Sequence, residues 1–287
     1  MNPPLYSLDT TSFYNLVVGC LLIFALLTLS LCGIKAIYAE IKTLNQADDG
    51  DTAIMDSRAW NILEVGFILL WAGFLYSQVS IVGFFLQQSK VMENVESEAL
   101  YLLIAHVTLY SLFFAAIVYL LRHRRISWSS AFGFDHGPWN RILLASIAGL
   151  AVILIPMGLA SSGTVWALEK FGWPSEPQFL VKLVLKIHDP WVVGGLVCLA
   201  VIGAPLFEEI LFRGVIYPYL RKEIGFKNAL WINSALFACV HLNLTSLFPL
   251  FLLSLMFNLL YEWKRNLAAP ILCHALFNAL SLLYLFT

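Results

Sequence analysis

The chain is short of charge. Asp, Glu, Lys and Arg make up 12% of its 287 residues, where an ordinary soluble domain carries about 25%. What charge it has is balanced, 17 basic against 18 acidic residues, so no basic footprint is available for nucleic acid. Its five cysteines are Cys20, Cys32, Cys198, Cys239 and Cys273. None has CxxC spacing and all fall in apolar runs, which argues against a disulfide framework or a thiolate metal site and for small packing residues. There is no HExxH, so the zinc pattern carried on one helix is absent. No Lys or Arg precedes the first apolar run, Tyr14–Tyr38. That run is too long for a signal-peptide core and reads as a retained transmembrane helix. No internal repeat and no low-complexity segment is present.

What the chain has in quantity is hydrocarbon. Hydrophobic residues are 60% of it, and mean hydropathy is +0.80. Crossing about 30 Å of hydrocarbon takes about 20 apolar residues in a helix. Eight runs qualify as spans: Tyr14–Tyr38, Trp60–Leu86, Leu100–Leu121, Ile142–Ser162, Trp191–Leu220, Asn228–His241, Ser246–Tyr261 and Leu267–Phe286. The expected fold is therefore an all-α polytopic membrane protein of about eight transmembrane helices. The sixth and seventh spans are short, and the sequence HLNLTS between them leaves room only for a tight turn.

Alternate connections hold twelve Lys and Arg residues against four, the four being Lys90, Lys170, Lys182 and Lys186. The positive-inside rule puts the richer set in the cytoplasm and both termini outside. The RHRR stretch, Arg122–Arg125, reads as a cytoplasmic anchor. The connection Ala39–Ala59 carries DDGD and reads as a flexible acidic loop. Gly163–Pro190 contains WPSEPQ, whose prolines forbid a continuous helix. After it, FLVKLVLK sets Lys182 and Lys186 four apart among apolar residues. It reads either as a helix lying in the interface or as an extension of the fifth span. Asn243-Leu244-Thr245 fits a glycosylation sequon, but in a turn against the membrane it is expected to stay unused.

Ionisable groups inside a bilayer are costly, about 2.5–3.5 kcal/mol for a central Asp, Lys or Arg. Those well inside spans are His106, Glu208, Glu209, Arg213, His241 and His274. Glu64 stands near a span end and can reach the interface. His106 is alone in its span and reads as a hydrogen-bonded packing residue. The others form three patterns. Glu208-Glu209-x-x-x-Arg213 puts Glu209 and Arg213 four apart, the better orientation for a helical ion pair. It turns Glu208 about 100° away, towards a cavity. Pro205, just upstream, is expected to kink the helix. Phe237-x-x-x-His241 and His274-x-x-x-Asn278 are pairs on one face of their helices. At about 1.5 Å per residue, Glu208 lies about 18 Å from Leu220, His241 about 20 Å from Asn228 and His274 about 10 Å from Leu267. All three can share a layer in the inner half of the membrane.

A carboxylate beside a neutral imidazole can activate water as a general base. A second imidazole and an amide can stabilise a developing oxyanion. Alternatively, Glu208, His241 and His274 could ligate zinc and lower the pKa of a bound water. Asn278 is a poor zinc ligand but a good amide donor, which favours the metal-free reading.

Together the three patterns resemble the CPBP family, also called Abi or CAAX-protease-like, whose Rce1-type members trim prenylated CAAX proteins. The resemblance covers roughly Trp191 to Phe286. It implies an intramembrane endopeptidase with its active site in the C-terminal helices. In that reading Glu208 and His241 activate the water, and His274 and Asn278 position it or stabilise the oxyanion. Glu209 and Arg213 shape the site, and Phe237 packs beside His241. It implies a lipid bilayer environment and a peptide or lipidated-protein substrate, with zinc as the one cofactor to weigh. The implied organisation is residues 1–121 as N-terminal helices of unassigned role, 122–190 as a linking helix and loops, and 191–287 as the catalytic core. The competing readings are a proton-coupled transporter and a non-catalytic immunity or assembly factor on the same scaffold. A transporter would scatter its ionisable groups across both leaflets. A pure scaffold gains nothing from burying Glu, His, His and Asn together.

Overall fold

The computed structural model describes residues 28, 30–43, 60–88, 94–175 and 179–286. No strand occurs among the described residues. In chain order the helices are α1 (30–43), α2 (Ile62–Gln88), α3 (Val95–Arg124), the short α4 (Trp128–Phe132), α5 (Trp139–Lys170) and the short α6 (Phe179–Val184). Then comes a helical stretch in five segments, broken within the last of them at Gly225. These are α7 (Pro190–Cys198), π1 (Leu199–Gly203), α8 (Ala204–Glu209), π2 (Ile210–Ile216) and α9 (Tyr217–Val240). The chain closes with α10 (Leu244–Lys264) and α11 (Ala268–Phe286).

Six described helical stretches are long and apolar enough to cross a membrane. One of them, Pro190–Val240, is 51 residues long and accounts for two predicted spans. It breaks at Gly225, where φ is 80° and ψ 162°, a conformation that glycine alone adopts cheaply. Each predicted span from the second to the eighth thus has its helix. Of the first, Tyr14–Tyr38, the described residues are 28 and 30–38, helical from 30 onward. The chain is an all-helical, multi-pass integral membrane protein.

Three connections differ from expectation. α5 runs past Ser162 to Lys170, because no proline intervenes before Pro174. α6 is not an extension of the fifth span. Asp189 caps α7 by accepting from the Trp191 and Val192 amides at 2.8 and 3.3 Å, and Pro190 opens that helix, where its missing N–H costs nothing. Instead Leu183, Val184 and Ile187 pack against Ala99 and Leu196. Residues 39–43 continue α1, whereas the DDGD stretch lies outside the described residues.

The polarity of the bundle is inverted relative to a soluble one. Large apolar side chains such as Leu63, Leu70 and Trp191 stand exposed, as a lipid-facing surface requires. Glu209, Arg213, Asn233, Ser234, Ser254 and Asn258 are fully buried. Helices approach closely where side chains are small, as is usual in membranes. A Cβ on Gly149 of α5 would stand 2.9 Å from Leu260 Cδ1 of α10. Ser146 Oγ donates to the Ala269 carbonyl of α11 at 2.9 Å. The paired ends of α2 and α3 are tied by Arg124, which bridges Glu64 at 3.6 Å and lies over the Trp60 ring at 4.9 Å. Arg124 is thus engaged within the protein as well as belonging to the basic anchor.

Candidate active site

The part of the Pro190–Val240 stretch that precedes the break at Gly225 carries the first pattern, and it holds two π segments. Pro205 stands in the first turn of α8, directly after π1. Two wide π turns, π1 and π2, flank the Glu208-Glu209 pair, a feature that concentrates at functional sites. In each, a carbonyl is taken by a side chain from elsewhere. Asn278 Nδ2 donates to Ala200 O at 2.8 Å, and Trp60 Nε1 donates to Gly214 O at 2.8 Å. Gly214 also admits α4: a Cβ there would meet Phe132 Cε1 at 2.6 Å.

Glu209 and Arg213 form the buried foundation. Arg213 Nη1 donates to Glu209 Oε1 at 3.1 Å, with both side chains fully enclosed. Its Nε donates to Asn258 Oδ1 at 3.0 Å, and Nη2 donates to the Ser254 carbonyl at 3.1 Å and to Ser254 Oγ. Asn258 is held in turn by Asn233 and Ser234, at 2.9 Å each. The guanidinium lies over the rings of Phe237 at 4.7 Å and Phe257 at 5.2 Å. A buried ion pair is tolerable only when its remaining donors are satisfied, and these polar neighbours do that for the arginine. Charge alone marks Glu209 and Arg213 in the sequence. Sequence reasoning missed Asn233, Ser234, Ser254 and Asn258, although two asparagines in the middle of apolar runs were the available signal. It also missed a second buried cluster, in which Glu262 Oε1 accepts from Tyr217 at 2.8 Å and Arg221 at 2.7 Å. Glu262 and Arg221 stand just beyond the predicted span ends, where a charge attracts no notice.

The two histidines are oriented by their Nδ1 atoms. His241 Nδ1 is 2.7 Å from the Phe237 carbonyl, which can only accept, so Nδ1 carries the proton. His274 Nδ1 is 2.9 Å from Glu209 Oε1 and donates to that carboxylate. Ring packing fixes both imidazoles further. Phe237 lies 4.8 Å from His241, and Phe257 stacks on His274 at 4.8 Å. In their neutral forms both rings therefore present an unprotonated Nε2, and both Nε2 atoms face Glu208. Glu208 Oε2 is 3.9 Å from each of them. That oxygen is buried and among the described residues has no hydrogen-bond partner, while the Glu208 and His241 side chains remain 21% and 23% exposed. Separations of 3.9 Å exceed a direct hydrogen bond and suit a single bridging water.

Glu208, His241 and His274, from three different helices, are thus brought to one point, with Glu209, Arg213 and Phe237 directly behind them. Asn278 is on the same helix as His274, but one N–H of its amide holds the π1 carbonyl. His106 lies on α3, its Nδ1 2.8 Å from the Leu102 carbonyl, in agreement with a packing role.

The donor types suit zinc. Two imidazoles with anchored Nδ1–H groups facing a carboxylate resemble the outer shell of zinc sites. The spacing does not suit it. Tetrahedral ligands about 2.0–2.1 Å from zinc stand about 3.4 Å apart, shorter than the separations here. Among the described residues, no group of three His, Cys, Asp or Glu side chains is set to hold an ion. As arranged, the residues do not fit a closed zinc site.

Known proteins share this segment. Residues 190–280 match the family model described as type II CAAX prenyl endopeptidase Rce1-like. The match coincides with the segment that carries the three motifs, so the resemblance to the CPBP family is borne out there. MroQ of Staphylococcus aureus, a membrane-embedded CAAX protease, is 32% identical over 91 residues, 30% of this chain and 36% of that protein. YdiL of Bacillus subtilis, named by inference as a membrane peptidase, is 27% identical over 136 residues, 47% of this chain and 53% of that protein. The uncharacterized protein YpbD of Bacillus subtilis is 38% identical over 76 residues, 25% of this chain and 36% of that protein. The chain spans about half the length, or less, of these curated relatives. No solved structure matches significantly.

Proposed function

We propose that this protein is an intramembrane endopeptidase that hydrolyses peptide bonds with a water activated by Glu208 and His241. One observation carries the reading: the buried, unpartnered Oε2 of Glu208 faces two imidazole Nε2 atoms at 3.9 Å each. A carboxylate oxygen held out of water without a direct partner carries a cost, and general-base chemistry gives it a use.

The water gives one proton to Glu208 Oε2 and one hydrogen bond to His241 Nε2. Its oxygen adds to the carbonyl carbon of the scissile amide, and the C=O electron pair moves onto oxygen. The amide C–N bond then breaks, and Glu208 returns the proton to the leaving nitrogen. His274, anchored on Glu209, sets its Nε2 3.9 Å from the same carboxylate oxygen and closes the other side of the water's position. Glu209 and Arg213 position His274 without touching substrate. Asn278 fixes the π1 turn that precedes the catalytic glutamate. The catalytic core in this reading is 191–287, with 122–190 as the link to the N-terminal helices.

Glu208 lies six residues, about 9 Å, from Gly214, whose carbonyl is bonded by Trp60 at the start of α2. With the basic connections in the cytoplasm, that end of α2 is cytoplasmic and cleavage occurs in the inner half of the bilayer. A prenylated C-terminal tail is the substrate that the family model and the name of MroQ favour. The bacterial origin of the relatives favours a bacterial cytoplasmic membrane. The test is cleavage of a farnesylated CAAX peptide and of a mixed peptide library by the detergent-purified protein, read by mass spectrometry. Wild type should cleave and Glu208→Ala should not. Equal activity in the two would refute the mechanism.

A further inference from the structure

Each wide turn of the site helix is followed by a proline that cannot donate. Pro205 is the second residue of α8 and Pro218 the second residue of α9. In π1 the Ala204 N–H reaches back five residues to Leu199 O, and in π2 the Tyr217 N–H reaches back five to Phe212 O. The next N–H in line is missing in both cases, because proline has none. A carbonyl is thereby left to find another donor, since buried backbone groups are nearly always paired. Ala200, five residues before Pro205, takes a donor from Asn278. Gly214, four residues before Pro218, takes one from Trp60.

Asn278 belongs to one of the site motifs, but Trp60 lies outside the segment that the family model matches. Its side chain is buried, and Nε1, which can only donate, is 2.8 Å from Gly214 O. The ring is held from its own side of the interface. Arg124 of α3 lies over it at 4.9 Å and bridges Glu64 at 3.6 Å. Glu64 is itself fixed at the start of α2. Its Oε2 accepts from the Asn61 N–H, and its own N–H donates to Asn61 Oδ1, both at 2.9 Å. Phe132 closes in on Gly214 as well, since a Cβ there would meet it at 2.6 Å. The Phe132 carbonyl accepts from the Leu267 N–H at 3.0 Å, so α4 is tied to the start of α11. The carbonyl that Trp60 holds follows Arg213 directly, and Arg213 donates to the Glu209 oxygen on which His274 is anchored.

We propose that Trp60 is a positioning residue of the active site. Its indole N–H stands in for the N–H that Pro218 lacks, holds π2 in its wide register, and so sets Glu208 and Glu209 against the two histidines. A π turn spends one residue more than an α turn. Tightening it would rotate the glutamates by about 100° relative to α9. This gives α2 and α3 a task in the reaction without contact to substrate. The inference rests on the endopeptidase reading above.

Trp60→Phe tests it, since a ring is kept under Arg124 and the donor is removed. Misplacing reacting groups by about 1 Å can cost about 10²-fold, and kcat should fall by that order with KM unchanged. Pro218→Ala in the Trp60→Phe background then supplies Gly214 O with an N–H from the ordinary α position. The thermal midpoint should recover while kcat stays low, because the carbonyl is satisfied in the wrong register. Wild-type kcat in Trp60→Phe would overturn the proposal. So would a double variant that regains both kcat and the midpoint, since the indole would then be a carbonyl cap and nothing more. Should Trp60→Phe not fold, β-(3-benzothienyl)alanine at position 60, with sulfur in place of the N–H, carries the same test. A wild-type protein that cleaves no peptide would overturn the endopeptidase reading. Amide hydrogen exchange across 210–216 then tests the hold on π2 alone. It should be faster in Trp60→Phe than in wild type, and equal exchange would overturn that hold too.

Discussion

Glu209 Oε1 accepts from His274 Nδ1 at 2.9 Å and from Arg213 Nη1 at 3.1 Å. One oxygen of one fully buried carboxylate therefore fixes a site histidine and neutralises a buried arginine at once. The adjacent Glu208, turned away by the helix, is left to face the imidazoles. Two neighbouring glutamates thus have separate surroundings, one in the buried ion pair and one before the imidazoles, because a helix points consecutive side chains in different directions.

Glu209→Gln separates these tasks. It keeps the volume but removes the charge that balances Arg213. Leaving a buried charge unpaired costs about 3–5 kcal/mol. Thermal unfolding in detergent should show a clear loss of stability, and cleavage should fall because the His274 Nδ1–H then meets a neutral amide oxygen in place of a carboxylate. A variant with the wild-type midpoint would show that the ion pair contributes little to the fold.

Arg213→Lys should not rescue the pair. The guanidinium makes separate contacts to Glu209, Asn258 and Ser254, and a lysine ammonium cannot reproduce that planar fork. The expected stability of Arg213→Lys is well below wild type, measured by the same unfolding assay. Near-equal stability would mean that charge alone matters at this position.

Asn278 should behave as a structural residue first. Asn278→Ala removes the donor to Ala200 O and leaves that carbonyl unsatisfied, at a cost of about 1–3 kcal/mol. Asn278→Asp should be worse, since it sets an acceptor against the carbonyl. Loss of kcat in both variants with no loss of stability would instead assign the amide to the chemistry.

Much of this can be read before any coordinates. The C-terminal spans are legible from apolar run length, and Glu208, Glu209, Arg213, His241 and His274 from the expense of burying them. The first pattern also yields the Glu209–Arg213 pair, because 3.6 residues per turn is enough to derive it. The π turns are not legible. Carbonyls within them are held by Trp60 and Asn278, respectively 154 and 78 residues away in sequence, and no local pattern encodes such partners. Asn258 and Ser254 escape notice because uncharged polar residues in membrane helices often satisfy themselves on their own backbone.

Gly214→Ala should strain the contact between π2 and α4, since the added Cβ would stand 2.6 Å from Phe132 Cε1. Overpacking of this kind costs about 1–3 kcal/mol. Combining it with Phe132→Leu should recover part of the loss, a coupling that a double-mutant cycle measures. Additive effects would mean that the two residues do not meet.

The most direct measurement is peptide cleavage by wild type and Glu208→Gln, run side by side with and without a zinc chelator, with thermal unfolding on the same samples. General-base catalysis contributes about 10²–10⁴-fold. The account predicts a loss of at least that order in Glu208→Gln, an unchanged unfolding midpoint, and wild-type cleavage that survives the chelator. Cleavage by Glu208→Gln at the wild-type rate would contradict the central claim. Wild-type cleavage abolished by chelator and restored by zinc would contradict the metal-free mechanism and move the same three side chains into a metal site.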